Sequence, residues 1–410
     1  MKGSEILHCA GVVEYELDSE SDNLLIYFSS AGAAAPQGRS KFSEFRGNKI
    51  FIRDTAKNWY NKSINGLCED ADDLHRVLSE FSDNYSRSNI TVAGSSMGGY
   101  AALLFGIKIG AGRIVSIAPQ TFLRPDIPNS PRTPVKYDDL SLIIQGRRHD
   151  AHIEIWYGRE SILDLFNCLR IPPGKGISHH CVEGGMHNVL ATIKREGKLD
   201  VFFEHIISGQ GGSMPSSTLE PADASLALSA AELFYVERDP KAVIEHLAPI
   251  VEESPLSAVS YLLARCYFDL DDHVLAMKYL EKAIVLSPKN YEAYYLLGVC
   301  LEKMGRFKFA ALAYQNGLEF FPSPNAARLA RLGNAQFRCG KFSAALESHR
   351  RALDVDARMS RSHYQAGMIL MNMKSFDQAR HHFLEHRHLV PGFAKTEEHL
   401  QKLDRLAGRC

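Results

Sequence analysis

A serine flanked by glycines in the run Asn89-Ile90-Thr91-Val92-Ala93-Gly94-Ser95-Ser96-Met97-Gly98-Gly99-Tyr100-Ala101-Ala102-Leu103-Leu104 is the group in this chain best set to act as a nucleophile. A β-rich stretch runs into a Gly-x-Ser-x-Gly corner and out into an apolar helix, the signature of a nucleophile elbow. Glycine is needed at 94 and 98 because a side chain there would strike the neighbouring helix or strand. The corner holds the Ser96 hydroxyl at the carboxyl edge of a sheet and aims the Met97 N–H at a developing oxyanion. A bare five-residue motif recurs by chance, so its setting carries the weight: strand before, helix after, and small residues Gly99, Ala101 and Ala102 for tight helix packing. The alternatives are a serine in an ordinary glycine turn or a phosphate-cradling loop. No Gly-Lys-Ser/Thr follows, which argues against phosphate.

A serine hydroxyl needs a base and an orienting acid, and with this elbow they follow in the order acid, then histidine. His152 to Gly158 reads as a strand, followed by Arg159-Glu160-Ser161-Ile162-Leu163-Asp164. Ile177 to Val182 reads as a second strand, ended by the turn Glu183-Gly184-Gly185-Met186-His187. His187 is the expected base, since a glycine turn at a strand end lets its imidazole reach the serine; His179 and His180 lie inside the strand. Asp164 is the preferred acid and Glu160 the alternative, each otherwise a plain loop carboxylate. A second oxyanion donor is expected after the strand Asn23 to Phe28, with Ser30 the choice beside Met97.

At 410 residues, 45% hydrophobic and 23% charged, the chain is long enough for two cores. A net charge of −1 gives no overall field to recruit nucleic acid or an anionic membrane. The start carries no apolar signal core and no apolar run is long enough to span a bilayer, so cytoplasmic residence is the expectation. Eight cysteines show no Cys-x-x-Cys or zinc spacing and read as reduced packing residues; neither cofactor nor metal is expected.

Up to residue 207 strand-like and helix-like stretches alternate, which argues for a mostly parallel sheet covered by helices. The Pro-rich, charged stretch 124–149 is a candidate lid. Residues 208–221, rich in Gly and Ser, read as a linker. Beyond it, over 222–410, the period is about 34 residues. The best copy carries Tyr294, Leu297, Gly298, Leu301, Gly305, Phe307, Ala310, Tyr314, Gly317 and Pro322, and others begin near Leu263, Leu332 and Gly367. A degenerate copy, 224–255, has Val243 where a small residue belongs. Small residues at fixed places let helices touch and large ones fill the gaps, so the aromatic stripe is core. This resembles the tetratricopeptide repeat, and the resemblance implies an all-α solenoid with a protein or peptide partner on its groove.

Residues 20–207 resemble the α/β-hydrolase superfamily. Asp54, Trp59-Tyr60, the elbow and Ala118-Pro119-Gln120 are similar to bacterial hydrolase-like proteins linked to surface-glycan modification. That resemblance implies a serine esterase, deacylase or acyltransferase with Ser96, Asp164 and His187 as triad, acting on an acylated substrate, glycan esters included. The family's Gly-x-x-Asp is replaced here by Gly158-Arg159-Glu160-Ser161, which leaves the acid open. The competing expectation is a binding protein whose repeats hold a partner while the first half is an inactive platform.

Overall fold

The computed structural model describes residues 11–209, 214 and 216–406, which fall into two compact units divided at Val259/Ser260.

The first unit is built on strands β1 (Val13–Glu16), β2 (Leu24–Phe28), β3 (Asn48–Ile52), β4 (Lys62–Ile64), β5 (Cys68–Asp70), β6 (Ile90–Ser95), β7 (Arg113–Ile117), β8 (His152–Gly158), β9 (Ile177–Val182) and β10 (Ser216–Ser217). Eight of them form one sheet in the order β1-β3-β2-β6-β7-β8-β9-β10, while β4 and β5 pair separately. The six inner strands run parallel, and β1 and β10 join antiparallel at the two edges. Every residue of β2 and β3 is buried, as expected of parallel strands covered on both faces. Lys49, inside β3, escapes isolation by pairing with Glu16 of β1 at 2.7 Å.

Its helices are α1 (Ala71–Ser82), α2 (Met97–Lys108), α3 (Leu140–Gln145), α4 (Ile162–Leu169), α5 (Val189–Arg195), α6 (Leu199–Ser208), α7 (Pro221–Glu232) and α8 (Pro240–Leu247). α1 begins where Asp70 accepts from the Asp72 and Asp73 N–H groups. α2 is apolar all round and buried from Met97 to Ile107, the pattern of a helix enclosed in a core. At the other end of the sheet, Glu154 is buried with Arg113 at 2.7 Å and His205 at 2.6 Å, which fastens α6 to β7 and β8. Within the stretch 124–149, the Tyr137 N–H donates to Asn61 and its carbonyl accepts from the Tyr100 hydroxyl of α2.

The stretch read as a linker differs from that reading at Ser216–Ser217, which pairs with Val182 and Cys181 as the edge strand. Residues 210–213 and 215 of that stretch lie outside the described residues. The degenerate first copy forms α7 and α8 around a π-helical turn, and Val243 is buried. These helices belong to the first unit. α7 packs on α4, Phe166 meets Tyr235 at 5.4 Å between ring centres, and Arg170 pairs with Glu232 at 3.1 Å.

The unit boundary falls within α9 (Ser257–Asp269), followed by α10 (His273–Leu286), α11 (Tyr291–Lys303), α12 (Phe307–Phe320), α13 (Ala326–Arg338), α14 (Phe342–Val355), α15 (Ser360–Asn372), α16 (Phe376–Leu389) and α17 (Ala394–Leu406). Successive helices pack as an all-helical solenoid, as the 34-residue period requires. The close contacts repeat. A Cβ on Gly298 would lie 2.4 Å from the Tyr314 ring, one on Gly333 2.7 Å from His349, and one on Gly367 2.8 Å from Phe383. Each glycine of one helix therefore seats a ring from the next.

Among the described residues no helix is long and apolar enough to cross a membrane, and no group of three or more His, Cys, Asp or Glu is arranged to hold a metal. Cys68, Cys168, Cys181, Cys266 and Cys300 are free and buried, and Cys339 is half-buried.

Candidate active site

Ser96 sits between β6 and α2 with φ 56° and ψ −120°, a backbone conformation that a non-glycine residue adopts only when its surroundings enforce it. Two hydrogen bonds and two close glycine contacts enforce it here. The Ser96 N–H donates to the Ile117 carbonyl at 2.7 Å, and its own carbonyl accepts from Tyr100 at 3.0 Å. A Cβ on Gly94 would lie 2.2 Å from the Gly98 carbonyl oxygen, and one on Gly98 would lie 2.1 Å from that of Phe28. Only glycine lets α2 come this close to β6 and β2, which is what turns the serine outward.

His187 follows β9 in the turn opened by Gly184, whose φ is 61°. Its Nε2 lies 2.9 Å from Ser96 Oγ and its Nδ1 lies 2.7 Å from Asp164 Oδ1. In the tautomer that satisfies both contacts, Oγ–H donates to Nε2 and Nδ1–H donates to the carboxylate. Asp164 stands in the first turn of α4 and is almost wholly buried. Ser161 caps that helix by accepting the Asp164 N–H at 3.3 Å, and the helix dipole favours a carboxylate at this end. Burial works against a charged His187, but the Asp164 charge and hydrogen bond outweigh it and raise the imidazole pKa above the ordinary 6.5.

The two candidate acids therefore separate by position. Asp164 reaches the imidazole, whereas Glu160 is buried and donates its backbone N–H to the Gly185 carbonyl at 2.9 Å. A Cβ on Gly158 would lie 2.4 Å from that same oxygen, so the loop after β8 is pressed directly against the loop bearing His187. His179 and His180 are packing residues. His180 stacks on Trp156 at 4.1 Å, and burial lowers the His179 pKa to about 4.

Met97 is the first residue of α2, so its N–H has no acceptor within the helix. Ser30 follows β2, but its N–H and hydroxyl both donate to Gln37 Oε1, at 3.1 and 2.9 Å. The Ser30 amide is thus already engaged, and only a shift of Gln37 would free it.

A loop that the sequence suggested only through resemblance braces this edge of the sheet. The buried Asp54 carboxylate accepts from the Ala56, Asn58 and Tyr60 N–H groups at 2.9, 2.7 and 3.0 Å. Lys57, Trp59 and Tyr60 all take positive φ inside that turn. From it, Trp59 Nε1 donates to Gln120 at 2.9 Å, the Tyr60 hydroxyl to the Ser29 carbonyl at 2.9 Å, and the Asn61 amide to the Tyr100 hydroxyl at 2.8 Å. One carboxylate therefore ties together the ends of β2 and β7 and the start of α2. The signal available in sequence was an aspartate ahead of a polar run, which marks an Asx-type turn without saying what it braces.

Residues 258–290 and 279–308 match models of the tetratricopeptide repeat. The second unit is a tetratricopeptide-repeat array. Over 175 residues the chain is 25% identical to a DnaJ protein P58IPK homolog of Arabidopsis thaliana, a match covering 39% of this chain and 36% of that protein. Over 150 residues it is 23% identical to anaphase-promoting complex subunit 3 of Schizosaccharomyces pombe, covering 36% of this chain and 22% of that protein. The chain thus spans about a third or less of these relatives. Among solved structures, YrrB, described as a TPR protein with an unusual peptide-binding site, is 18% identical with a TM-score of 0.38, covering 42% of this chain and 86% of that one.

Proposed function

We propose that the protein is a serine esterase, deacylase or acyltransferase of the α/β-hydrolase type, joined to a tetratricopeptide-repeat array that binds a protein or peptide partner. The observation that carries the enzymatic part is the unbroken line from Ser96 Oγ through His187 to Asp164, at 2.9 and 2.7 Å. The order of strands supports it as well. Nucleophile, acid and histidine follow β6, β8 and β9, the chain order Ser, Asp, His of that fold.

In this reading Ser96 Oγ attacks an acyl carbonyl while His187 Nε2 takes its proton, and Asp164 stabilises the imidazolium. The tetrahedral oxyanion accepts the Met97 N–H. Collapse expels the leaving alcohol, to which His187 returns the proton, and water or an acceptor hydroxyl then releases the acyl group from Ser96 by the same steps in reverse. Glycan esters are the substrate class suggested by the resemblance of Asp54, Trp59-Tyr60 and the elbow.

The second reading is a repeat scaffold whose first unit does no chemistry, and the comparisons favour it because the family matches fall on the repeats. Reaction with a fluorophosphonate probe, located by peptide mapping, separates the two. Adduct on Ser96 that is lost in Ser96→Ala supports the enzyme; a folded protein that takes no adduct and cleaves no short-chain activated ester is the scaffold.

A further inference from the structure

In the repeat array the turn within each helix pair contains one residue of positive φ: Asp271 at 61°, Gly305 at 71°, Gly340 at 73° and Lys374 at 60°. Recurring at the repeat period, these turns fall along one edge of the solenoid. At the two middle turns that edge is basic. Arg306 and Lys308 flank Gly305, and Arg338 and Lys341 flank Gly340; all four are exposed. None of the four has a carboxylate partner among the described residues, although other cations of the unit do, as in Arg328–Glu292 at 2.5 Å, Arg331–Glu302 at 2.9 Å and Arg380–Asp404 at 3.1 Å.

These cations rim an open cavity of about 430 Å³ that also exposes Phe307, Phe309 and Cys339. Phe309 is 57% exposed, an unusual state for a phenylalanine, and the Arg338 guanidinium lies 4.2 Å over the Phe307 ring. Residues 260–406 carry 21 Lys and Arg against 15 Asp and Glu, so this unit is positive within a nearly neutral chain. Four like charges without counter-ions repel one another, and an anionic ligand relieves that repulsion. An apolar side chain on the same ligand would cover the phenylalanines.

We propose that this edge docks a short acidic peptide segment of a partner protein. One aromatic or large aliphatic side chain sits on Phe307 and Phe309, and flanking carboxylates meet Arg306, Lys308, Arg338 and Lys341. The preceding turn confines the ligand, because Asp271 and Asp272 there would repel a polyanion tracking the edge; this favours a peptide over a nucleic acid. The proposal rests on the array's reading as an interaction module and not on Ser96.

The test uses the full chain and a fluorescein-labelled peptide of about ten residues, Glu and Asp alternating around one Phe, followed by anisotropy. Saturable binding should weaken at least about tenfold when NaCl rises from about 50 mM to about 500 mM. It should weaken at least about tenfold in Arg338→Glu/Lys341→Glu and also fall in Phe309→Ser, but not in Arg358→Glu, which makes one such charge change at the opposite turn of the repeat. All variants are first checked by melting and by fluorophosphonate labelling, so that a failure at Ser96 is read separately. The proposal is overturned by absence of saturable binding, by equal loss in Arg358→Glu, or by displacement of the peptide by single-stranded DNA or phosphatidylserine vesicles at equal or lower concentration.

Discussion

The geometry at Ser96, His187 and Asp164 makes each side chain answerable to a different measurement. Ser96→Ala removes one half-buried oxygen at a turn, so the fold should persist while turnover of a short activated ester falls about 10³-fold or more. Asp164→Asn should cost about 10²- to 10⁴-fold, because the amide favours the wrong imidazole tautomer, and Glu160→Gln far less, since Glu160 is tied to Gly185 through its backbone. Equal losses in the two variants would count against the assignment. In the proposed mechanism His187 is the general base and must be neutral, and the Asp164 charge raises its pKa. Activity should therefore be absent at acid pH and rise through a midpoint above 6.5, a midpoint that shifts downward in Asp164→Asn. The contact between serine and histidine was legible in sequence because glycines on both sides of Ser96 announce an unusual backbone and two glycines precede His187 in the turn after a strand. The acid was left open there, because Glu160 and Asp164 read as lying on one short loop; in the structure α4 starts at the Ser161 N-cap and carries Asp164 against the His187 imidazole.

At the scale of elements, the repeats and the brace under the active-site edge differ in how openly the sequence declared them. A 34-residue period with glycine at fixed spots specifies helix pairs whatever the rest of the chain does. Gly298, Gly333 and Gly367 each seat a ring, and Gly298→Ala would push a methyl to within 2.4 Å of Tyr314. We expect that substitution to cost about 1–3 kcal/mol in urea unfolding. The Asp54 turn announced itself only by resemblance, since its partners at Ser29, Tyr100 and Gln120 are brought together by the sheet and are distant in sequence. Asp54→Asn keeps the size of the side chain but weakens three charge-assisted hydrogen bonds. It should lower fluorophosphonate reactivity at Ser96 and alter Trp59 fluorescence, while Ser96→Ala leaves that fluorescence unchanged.

For the molecule as a whole, two consequences can be measured. His349 fills a slot that Tyr314 and Phe383 fill in the neighbouring repeats, and burial lowers its pKa to about 4. The folded chain thus refuses a proton that the unfolded chain accepts near 6.5, and stability is lost as pH falls from about 6.5 toward about 4. His349→Phe should flatten that loss, with a larger gain in melting temperature at pH 5 than at pH 8. The periodic pattern hid this position, because histidine is not an obvious stand-in for an aromatic ring until Gly333 is seen beneath it. The second consequence concerns where the first unit ends. A chain stopped at Ser208 loses the edge strand and α7, which covers the helix bearing Asp164. It should melt lower and label more slowly than one stopped at Pro255. The elbow itself limits what sequence drift can do. Gly94, Gly98 and Gly99 are demanded by contacts under 3 Å to backbone atoms, whereas the Ser96 hydroxyl meets the His187 imidazole. A descendant could lose Ser96, His187 and Asp164 and would still keep the glycines in order to fold. Across such a lineage the glycines record the shared fold, and only the three side chains bear on whether the proposed chemistry is present.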